Sequence, residues 1–164
     1  DPNVKIASAT IKALATVETK PARQAIEQAL DHHDARVRAN AIEALEQFGT
    51  ARYVDRLVTL ATHEDNRPRA NAIQALLDVR LSEALRALAT MLEDDRPKHR
   101  VSGLWLVEYA GLLPMARRVA EMSISDPDSS IKKRAHRIVQ TLINSMQARE
   151  DIQSTSTSHS LVKH

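Results

Sequence analysis

Cysteine is absent from this sequence of 164 residues. The chain therefore has no disulfide framework, no thiolate nucleophile and no cysteine ligand for zinc. This absence is compatible with a reducing compartment, and we expect a cytoplasmic protein. Aromatic residues make up only 2% of the chain. A core built from alanine, leucine, valine and isoleucine suits thin helices that pack closely.

Glycine is almost as scarce, because only Gly49, Gly103 and Gly111 are present. Their spacing matches no phosphate-binding loop, which excludes a nucleotide site of that kind. No apolar run approaches the roughly 20 residues that span a bilayer, so we predict no membrane segment. The 23 basic and 21 acidic residues leave a net charge of +2, which is too balanced to indicate a nucleic-acid partner by itself.

Catalytic and metal-binding patterns are also missing. No HExxH or similar histidine pair occurs, and nothing in the spacing of the acidic residues and histidines brings a nucleophile, a base and an orienting group together. His32 and His63 share a position in two successive repeats, but such positions lie ~10 Å apart. Two zinc ligands must each reach about 2.0–2.1 Å from the metal. We therefore predict no metal, no cofactor and no enzyme activity.

What the sequence does contain is a segment, Asp34 to Leu45, that recurs along nearly the whole chain. The copies are 31 residues apart, with a last step of 32. A fixed period between 20 and 50 residues indicates a repeat architecture. Four positions can be aligned in all five copies, and the residues at each position form a column. The columns are Ile6, Val37, Pro68, His99 and Ile131; Ala7, Arg38, Arg69, Arg100 and Lys132; Thr10, Ala41, Ala72, Gly103 and Ala135; and Leu14, Leu45, Leu76, Val107 and Val139.

Each repeat is predicted to be a pair of helices, one short helix and one motif helix that carries the recurring segment. Asp34 is the expected N-cap of its motif helix, and Gly49 is the expected stop. Val37, Ala41 and Leu45 lie four residues apart, so they form one apolar face. The last helix is expected to run from about Ser130 to near Gln147. We predict no strands.

These residues resemble HEAT repeats, specifically the short bacterial kind. The matching features are an acidic turn, Val37-Arg38, Ala41 and Leu45, and the period of 31 is shorter than the 40–47 of eukaryotic HEAT and armadillo units. The resemblance implies an all-α, right-handed superhelix, or solenoid, of HEAT-like helix pairs. We assign residues 1–147 to about four and a half repeats and 148–164 to a polar C-terminal tail. Because the chain begins inside a repeat, we expect a fragment of a longer protein or a processed form.

In the family, a turn carboxylate pairs with the basic residue six positions later, which here predicts Asp94 with Arg100 and Asp126 with Lys132. Basic residues recur at the start of every motif helix, among them Arg38, Arg69 and Arg100. Stacking of the repeats aligns them into a stripe. The stripe is either a track for phosphates or an acidic protein, or a structural series neutralised by the turn carboxylates.

Trp105 occupies the repeat position of Glu43 and Gln74, which are polar and are expected to be exposed. Tyr109 follows four residues later on the same helix face. Exposed aromatic pairs mark binding sites, whereas an irregular repeat would instead bury Trp105 in the core. We predict partner binding through Trp105 and Tyr109.

The function that this sequence favours is therefore that of a non-catalytic scaffold or adaptor. Its partner would be a protein or peptide on the motif-helix face, bound by Trp105 and Tyr109 together with Arg38, Arg69 and Arg100. Two alternatives remain open: nucleic-acid binding through the basic stripe, and an accessory regulatory domain of a larger enzyme.

Overall fold

The computed structural model describes the backbone of residues 2–17 and 19–161, and the side chains of residues 3–17 and 19–148. Within this part of the chain, all regular structure is helical and no strand occurs, so the predicted all-α fold class is confirmed. Two 3-10 turns, Thr50–Tyr53 and Leu113–Met115, join longer helices. These helices are α1 (Pro2–Ala15), α2 (Lys20–Ala29), α3 (Ala35–Glu46), α4 (Val54–Leu60), α5 (Asn66–Leu76), α6 (Leu81–Leu92), α7 (Pro97–Ala110), α8 (Ala116–Ser125) and α9 (Ser129–Leu161).

The helix boundaries follow from local chemistry in the sequence. The Asp34 carboxylate accepts a hydrogen bond from the Arg36 backbone N–H at 2.8 Å, so Asp34 is the N-cap of α3 as predicted. Such a bond satisfies one of the backbone donors that a helix N-terminus leaves unpaired. Gly49 has a φ of +92°, a conformation that ends the helical path and that other residues rarely adopt.

The chain forms two compact units, which divide after Gly103. In the first unit, the motif helices α1, α3 and α5 pack side by side in sequence order. The short helix α2 packs on α1 and α3, while α4 and α6 both pack on α5. Each short helix therefore covers the apolar face that its motif helix cannot bury alone, which is the packing expected for a repeat array.

The predicted core columns are buried in the middle repeats. Ala41 and Ala72 are fully buried, and Leu45 and Leu76 are no more than 1% exposed. The column of small residues lies at the closest approach of the helices. A Cβ atom added at Gly103 would meet the Leu92 side chain at 2.8 Å.

The first copy of the motif departs from the prediction. Ile6 is 64% exposed and Thr10 is also exposed, whereas Val4 and Ile11 are buried instead. In a later repeat, the Ile6 position holds His99, which contacts Glu64 in the preceding turn, and the Thr10 position holds Gly103, which lies close to Leu92 of the preceding short helix. The described residues include no turn or helix before α1 that could cover these two positions.

The second unit contains residues 104–110 of α7, together with α8 and α9. The helices α8 and α9 pack along each other and form a further helix pair. The apolar residues of this unit that are no more than 1% exposed are Leu104, Leu106, Val107, Val119, Ile131, Ala135 and Ile138. The motif columns at Ile131 and Ala135 are therefore core positions here too.

The last helix is longer than predicted. It continues to Leu161, well past Gln147, because residues 129–161 contain neither proline nor glycine to stop it. Polar side chains alone do not end a helix. Residues 162–164 lie outside the described part of the chain, and the division between a repeat array and a tail at residue 147 stays a prediction.

Ala41→Leu tests the small-residue column. We expect it to lower the free energy of unfolding by about 1–3 kcal/mol, because the larger side chain overpacks a fully buried site. Thr10→Leu is the matched control, since Thr10 holds the same repeat position but is exposed. It should change stability by no more than about 0.5 kcal/mol. Equal losses for both variants in urea unfolding would contradict the assigned packing.

Candidate functional site

Arg38 lies in the first turns of α3 and binds two different repeats. Its Nη1 donates to the backbone carbonyl oxygens of His32 and His33, the second at 2.9 Å, in the turn that precedes its own helix. Its Nη2 forms an ion pair with the carboxylate of Asp65, 27 residues later in the turn of the next repeat. One guanidinium group on α3 thus binds both the turn before α3 and the turn of the next repeat.

Arg69 repeats the link one unit later. Its Nη1 lies 3.0 Å from Oδ2 of Asp94, 25 residues on, and both side chains are largely buried. The Asp94 carboxylate also accepts hydrogen bonds from Nε and Nη2 of Arg96, each at 2.9 Å. These contacts hold the pKa of Asp94 far below its usual range, with the Arg96 hydrogen bond as the main cause. We call Arg38, Arg69 and Arg100 the arginine ladder.

The predicted pairing of carboxylate and base at a spacing of six is partly wrong. At that spacing Arg100 donates from Nη1 to the backbone carbonyl oxygen of Asp94, at 2.8 Å, and also to that of Asp95, at 3.0 Å. The carboxylate of Asp94 instead binds Arg69, from the preceding repeat. The reason is geometric, because the carbonyl oxygens of Asp94 and Asp95 lie within reach of Arg100, whereas the carboxylate of Asp94 lies against Arg69 and Arg96. The Asp126 pair with Lys132 stays a prediction.

The ladder bears on the two interpretations of the basic stripe. Arg38, Arg69 and Arg100 are 9%, 5% and 6% exposed, and their guanidinium groups bind internal acceptors. These contacts favour the structural interpretation. Partner binding through the three arginines stays a prediction, and their burial does not support it.

Asp94→Asn tests the ladder. The substitution keeps the size of the side chain but removes the charge that Arg69 and Arg96 share. We expect the free energy of unfolding to fall by about 1–3 kcal/mol, because a largely buried guanidinium loses its charged partner. Asp95→Asn, a neighbouring exposed carboxylate, should change stability by at most about 0.5 kcal/mol. Chemical denaturation at neutral pH makes the comparison, and no difference between the variants would contradict the role of Asp94.

His99 is a feature that sequence reasoning missed as a titratable group. It is fully buried in the column otherwise held by Val37, Pro68 and Ile131. Its Nε2 donates to the backbone carbonyl oxygen of Glu64 at 2.9 Å. Its Nδ1 has no hydrogen-bond partner and lies 3.8 Å from Oδ1 of Asp94. The signal in the sequence was a polar residue within an apolar column.

Burial lowers the pKa of His99, opposed by the Glu64 carbonyl and the Asp94 charge and assisted by the charges of Arg96 and Arg69. The native state therefore holds His99 neutral at a pH where the unfolded chain, with an ordinary pKa of about 6.5, already binds a proton. The contribution of His99 to stability is therefore fully present above about pH 6.5, and it is lost as the pH falls from there through the lowered pKa.

His99→Val should remove this dependence, because Val37 holds the same position without a titratable group. We expect urea unfolding of the unsubstituted protein to show less stability at ~pH 5.5 than at ~pH 7.5, and the variant to show a smaller difference. Asp94 stays ionised across this range because its pKa is far below it. An unchanged difference in the variant would show that His99 does not titrate on unfolding.

Trp105 and Tyr109 form the exposed aromatic pair that the sequence predicted. Their ring centroids lie 4.9 Å apart with an interplanar angle of 14°, which is a stacked arrangement. Trp105 is 41% exposed and Tyr109 is 64% exposed. The prediction that Trp105 points away from the core is confirmed, whereas its role in binding stays a prediction. Packing within this unit alone does not explain why two adjacent aromatic rings are left in water.

A cleft of about 360 Å³ between α1 and α3 is a second candidate site, which the sequence reasoning did not find. It is lined by polar residues and two alanines, and most of the lining surface is apolar: Lys12, Ala15, Thr16, Asn40, Glu43, Ala44 and Gln47. The cleft lies on the motif-helix side of the first unit.

The cleft exists because one residue breaks the repeat. Between α3 and α5, the Asn71 amide donates to the Ala39 carbonyl oxygen at 3.1 Å and to the Glu43 carboxylate at 2.8 Å, which closes the seam. One repeat earlier, Asn40 stands in place of Asn71 and Lys12 in place of Glu43. A lysine cannot accept that hydrogen bond. The lysine at position 12, where the next repeat has Glu43, is the sequence feature from which the cleft could have been predicted.

A family profile described as HEAT repeats matches residues 1–76 and, in a second overlapping match, residues 28–104. Together the matches cover more than half of the chain. The chain belongs to the HEAT-repeat family. No curated protein matches it significantly.

The HEAT-repeat match contains the arginine ladder and ends beside Trp105. Helices α8 and α9 lie beyond it, yet they form a helix pair with the motif columns buried. In the described part of this HEAT-repeat chain, no helix is both long and apolar enough to cross a membrane. Nor do its histidines and carboxylates there form a group of three or more that could hold a metal ion.

Proposed function

We propose that this HEAT-repeat chain is a non-catalytic scaffold or adaptor, and that a protein or peptide partner binds at Trp105 and Tyr109. The observation that carries the proposal is the exposed, stacked aromatic pair on α7. HEAT repeats are commonly protein-interaction scaffolds, which supports the class of partner. A cytoplasmic location is part of the same proposal.

The two aromatic rings offer a partner a large apolar area that is already restricted in conformation. Trp and Tyr are enriched at the energetic centres of interfaces, because each buries a large apolar area with few rotatable bonds. Stacking against each other further restricts both rings before any partner arrives. Binding of a partner to them therefore costs less conformational entropy than binding to two separate flexible side chains would.

The alternative of a nucleic-acid track has weaker support. Such a track needs several free cations along one surface, but the arginine ladder is buried and occupied. Arg36 is exposed, yet it pairs with Asp34 at 3.3 Å. The faces that Trp105 and Tyr109 turn toward each other are also unavailable for base stacking. These contacts favour a protein partner.

Trp105→Ala is the direct test. Peptides selected from a random display library on the unsubstituted protein should bind the variant with at least about 30-fold higher Kd, the equivalent of about 2 kcal/mol. Because Trp105 is partly exposed, the change in unfolding free energy should stay well below the 3–5 kcal/mol of a core tryptophan. Iodide should also quench the fluorescence of this single tryptophan readily.

Leu81→Ala is the control, since Leu81 is an exposed apolar residue (52%) on the short helix α6. It should leave peptide affinity unchanged. Peptides that bind Trp105→Ala as tightly as the unsubstituted protein would rule out the proposed site. A blue-shifted, protected tryptophan would do the same.

A further inference from the structure

The first half of α9 carries an uneven distribution of charge. Between residues 129 and 148 it contains four cations, Lys132, Lys133, Arg134 and Arg137, and no carboxylate. Exposed helices usually mix both signs, which supports them through pairs three or four residues apart. On this helix no such pair can form, so any neutralisation must come from another element or from a partner.

Among the described residues of this unit, one of these cations forms an ion pair with another helix. Arg134 binds Glu108 of α7, with Nη2 3.1 Å from Oε2. Lys133 and Arg137 are exposed, and among the described residues neither side chain forms an ion pair. They are four residues apart and so share one face of α9.

The Arg134–Glu108 pair brings α9 against the turn of α7 that carries Tyr109. Glu108 directly precedes Tyr109 on α7, and Arg137 follows Arg134 by three residues, about one turn, on α9. In the repeat register, Arg137 holds the position of Trp105, 32 residues later. Neighbouring packed helices lie about 8–10 Å apart, a distance that an extended arginine side chain covers.

The nearby negative charge is already neutralised. Glu108 is engaged by Arg134, and on α8 Glu121 pairs with Arg117 at 3.1 Å. Within this unit, the exposed aromatic pair of α7 and two exposed cations of α9 that form no ion pair among the described residues therefore lie on helices that the Arg134–Glu108 ion pair joins. In the first unit, the repeat position of Trp105 is held by Glu43, which accepts a hydrogen bond from Asn71.

We infer that the partner segment is an acidic peptide. An apolar side chain of that segment packs on Trp105 and Tyr109, while its carboxylates pair with Lys133 and Arg137. The inference rests on the proposed function and adds the chemistry of the partner. Two uncompensated cations suit a short run of carboxylates, and exposed charges of this kind set specificity and association rate more than total affinity.

Three synthetic peptides of equal length test the inference, and none of them contains tryptophan. The first has glutamates on both sides of a central Leu-Phe pair, the second has glutamine at every glutamate position, and the third has lysine there. Emission of Trp105, the sole tryptophan of the chain, reports binding. At low ionic strength we expect the glutamate peptide to bind about tenfold more tightly than the glutamine peptide, and added salt to reduce the difference.

The double variant Lys133→Gln with Arg137→Gln should bring the glutamate and glutamine peptides to within about twofold of each other. Both side chains are exposed, so the melting temperature should not change. The matched control is Lys5→Gln with Lys20→Gln, which removes two exposed cations from the first unit. It should leave the tenfold preference intact.

The outcomes separate this inference from the proposed function. If the glutamine peptide binds as tightly as the glutamate peptide and both need Trp105, the acidic chemistry is wrong and the binding site stands. If no peptide changes the emission of Trp105, the inference is overturned, and the library selection then decides the proposed function independently. A single-stranded oligothymidine that binds through Lys133 and Arg137, while the glutamate peptide does not, overturns the inference in favour of nucleic acid.

Discussion

The bond between Arg38 and the turn of the next repeat is the interaction on which the stacking of the first unit depends. A largely buried guanidinium must bind acceptors, because its desolvation is costly. Arg38 meets this need by binding carbonyl oxygens in its own turn and the carboxylate of Asp65 in the next. The spacing between repeats is thereby set, since a displaced neighbour would leave the largely buried charge of Arg38 without its carboxylate. The ladder provides orientation more than net stability, because desolvation offsets much of the attraction between the charges.

This use of the arginines determines which surfaces remain for function. Cations that bind inside the stack are not available to a partner, so the basic stripe seen in the sequence overstates the positive charge of the surface. What remains are the places where a repeat departs from its neighbours. Lys12 opens a cleft where Glu43 closes the next seam. Trp105 and Arg137 stand in a column that is polar in the middle repeats. The candidate sites are thus departures from the motif, whereas the motif itself serves packing.

The fold could be predicted largely from the sequence because its determinants are local and recur. The Asp34 cap, the stop at Gly49 and the buried alanine column follow from residue type and spacing alone. Features that depend on a neighbour were harder to predict. Ile6 matches the core pattern, yet it is exposed, because the described residues include no preceding turn such as the one that contacts the equivalent His99. The Asp94 carboxylate binds the arginine of the preceding repeat, a choice that spacing within one repeat cannot show.

The exposure of Trp105 could be predicted from the sequence, because the polar residues Glu43 and Gln74 hold the same repeat position and mark it as facing solvent. A position that contributes little to the stack can change its residue at small cost in stability. Aromatic rings there have no packing requirement to satisfy, so their presence needs another physical reason. Stacking on each other restricts their rotamers, but it still leaves Tyr109 64% exposed. The proposed partner would bury these rings, and the charges of Lys133 and Arg137, which form no ion pair among the described residues, favour an acidic partner.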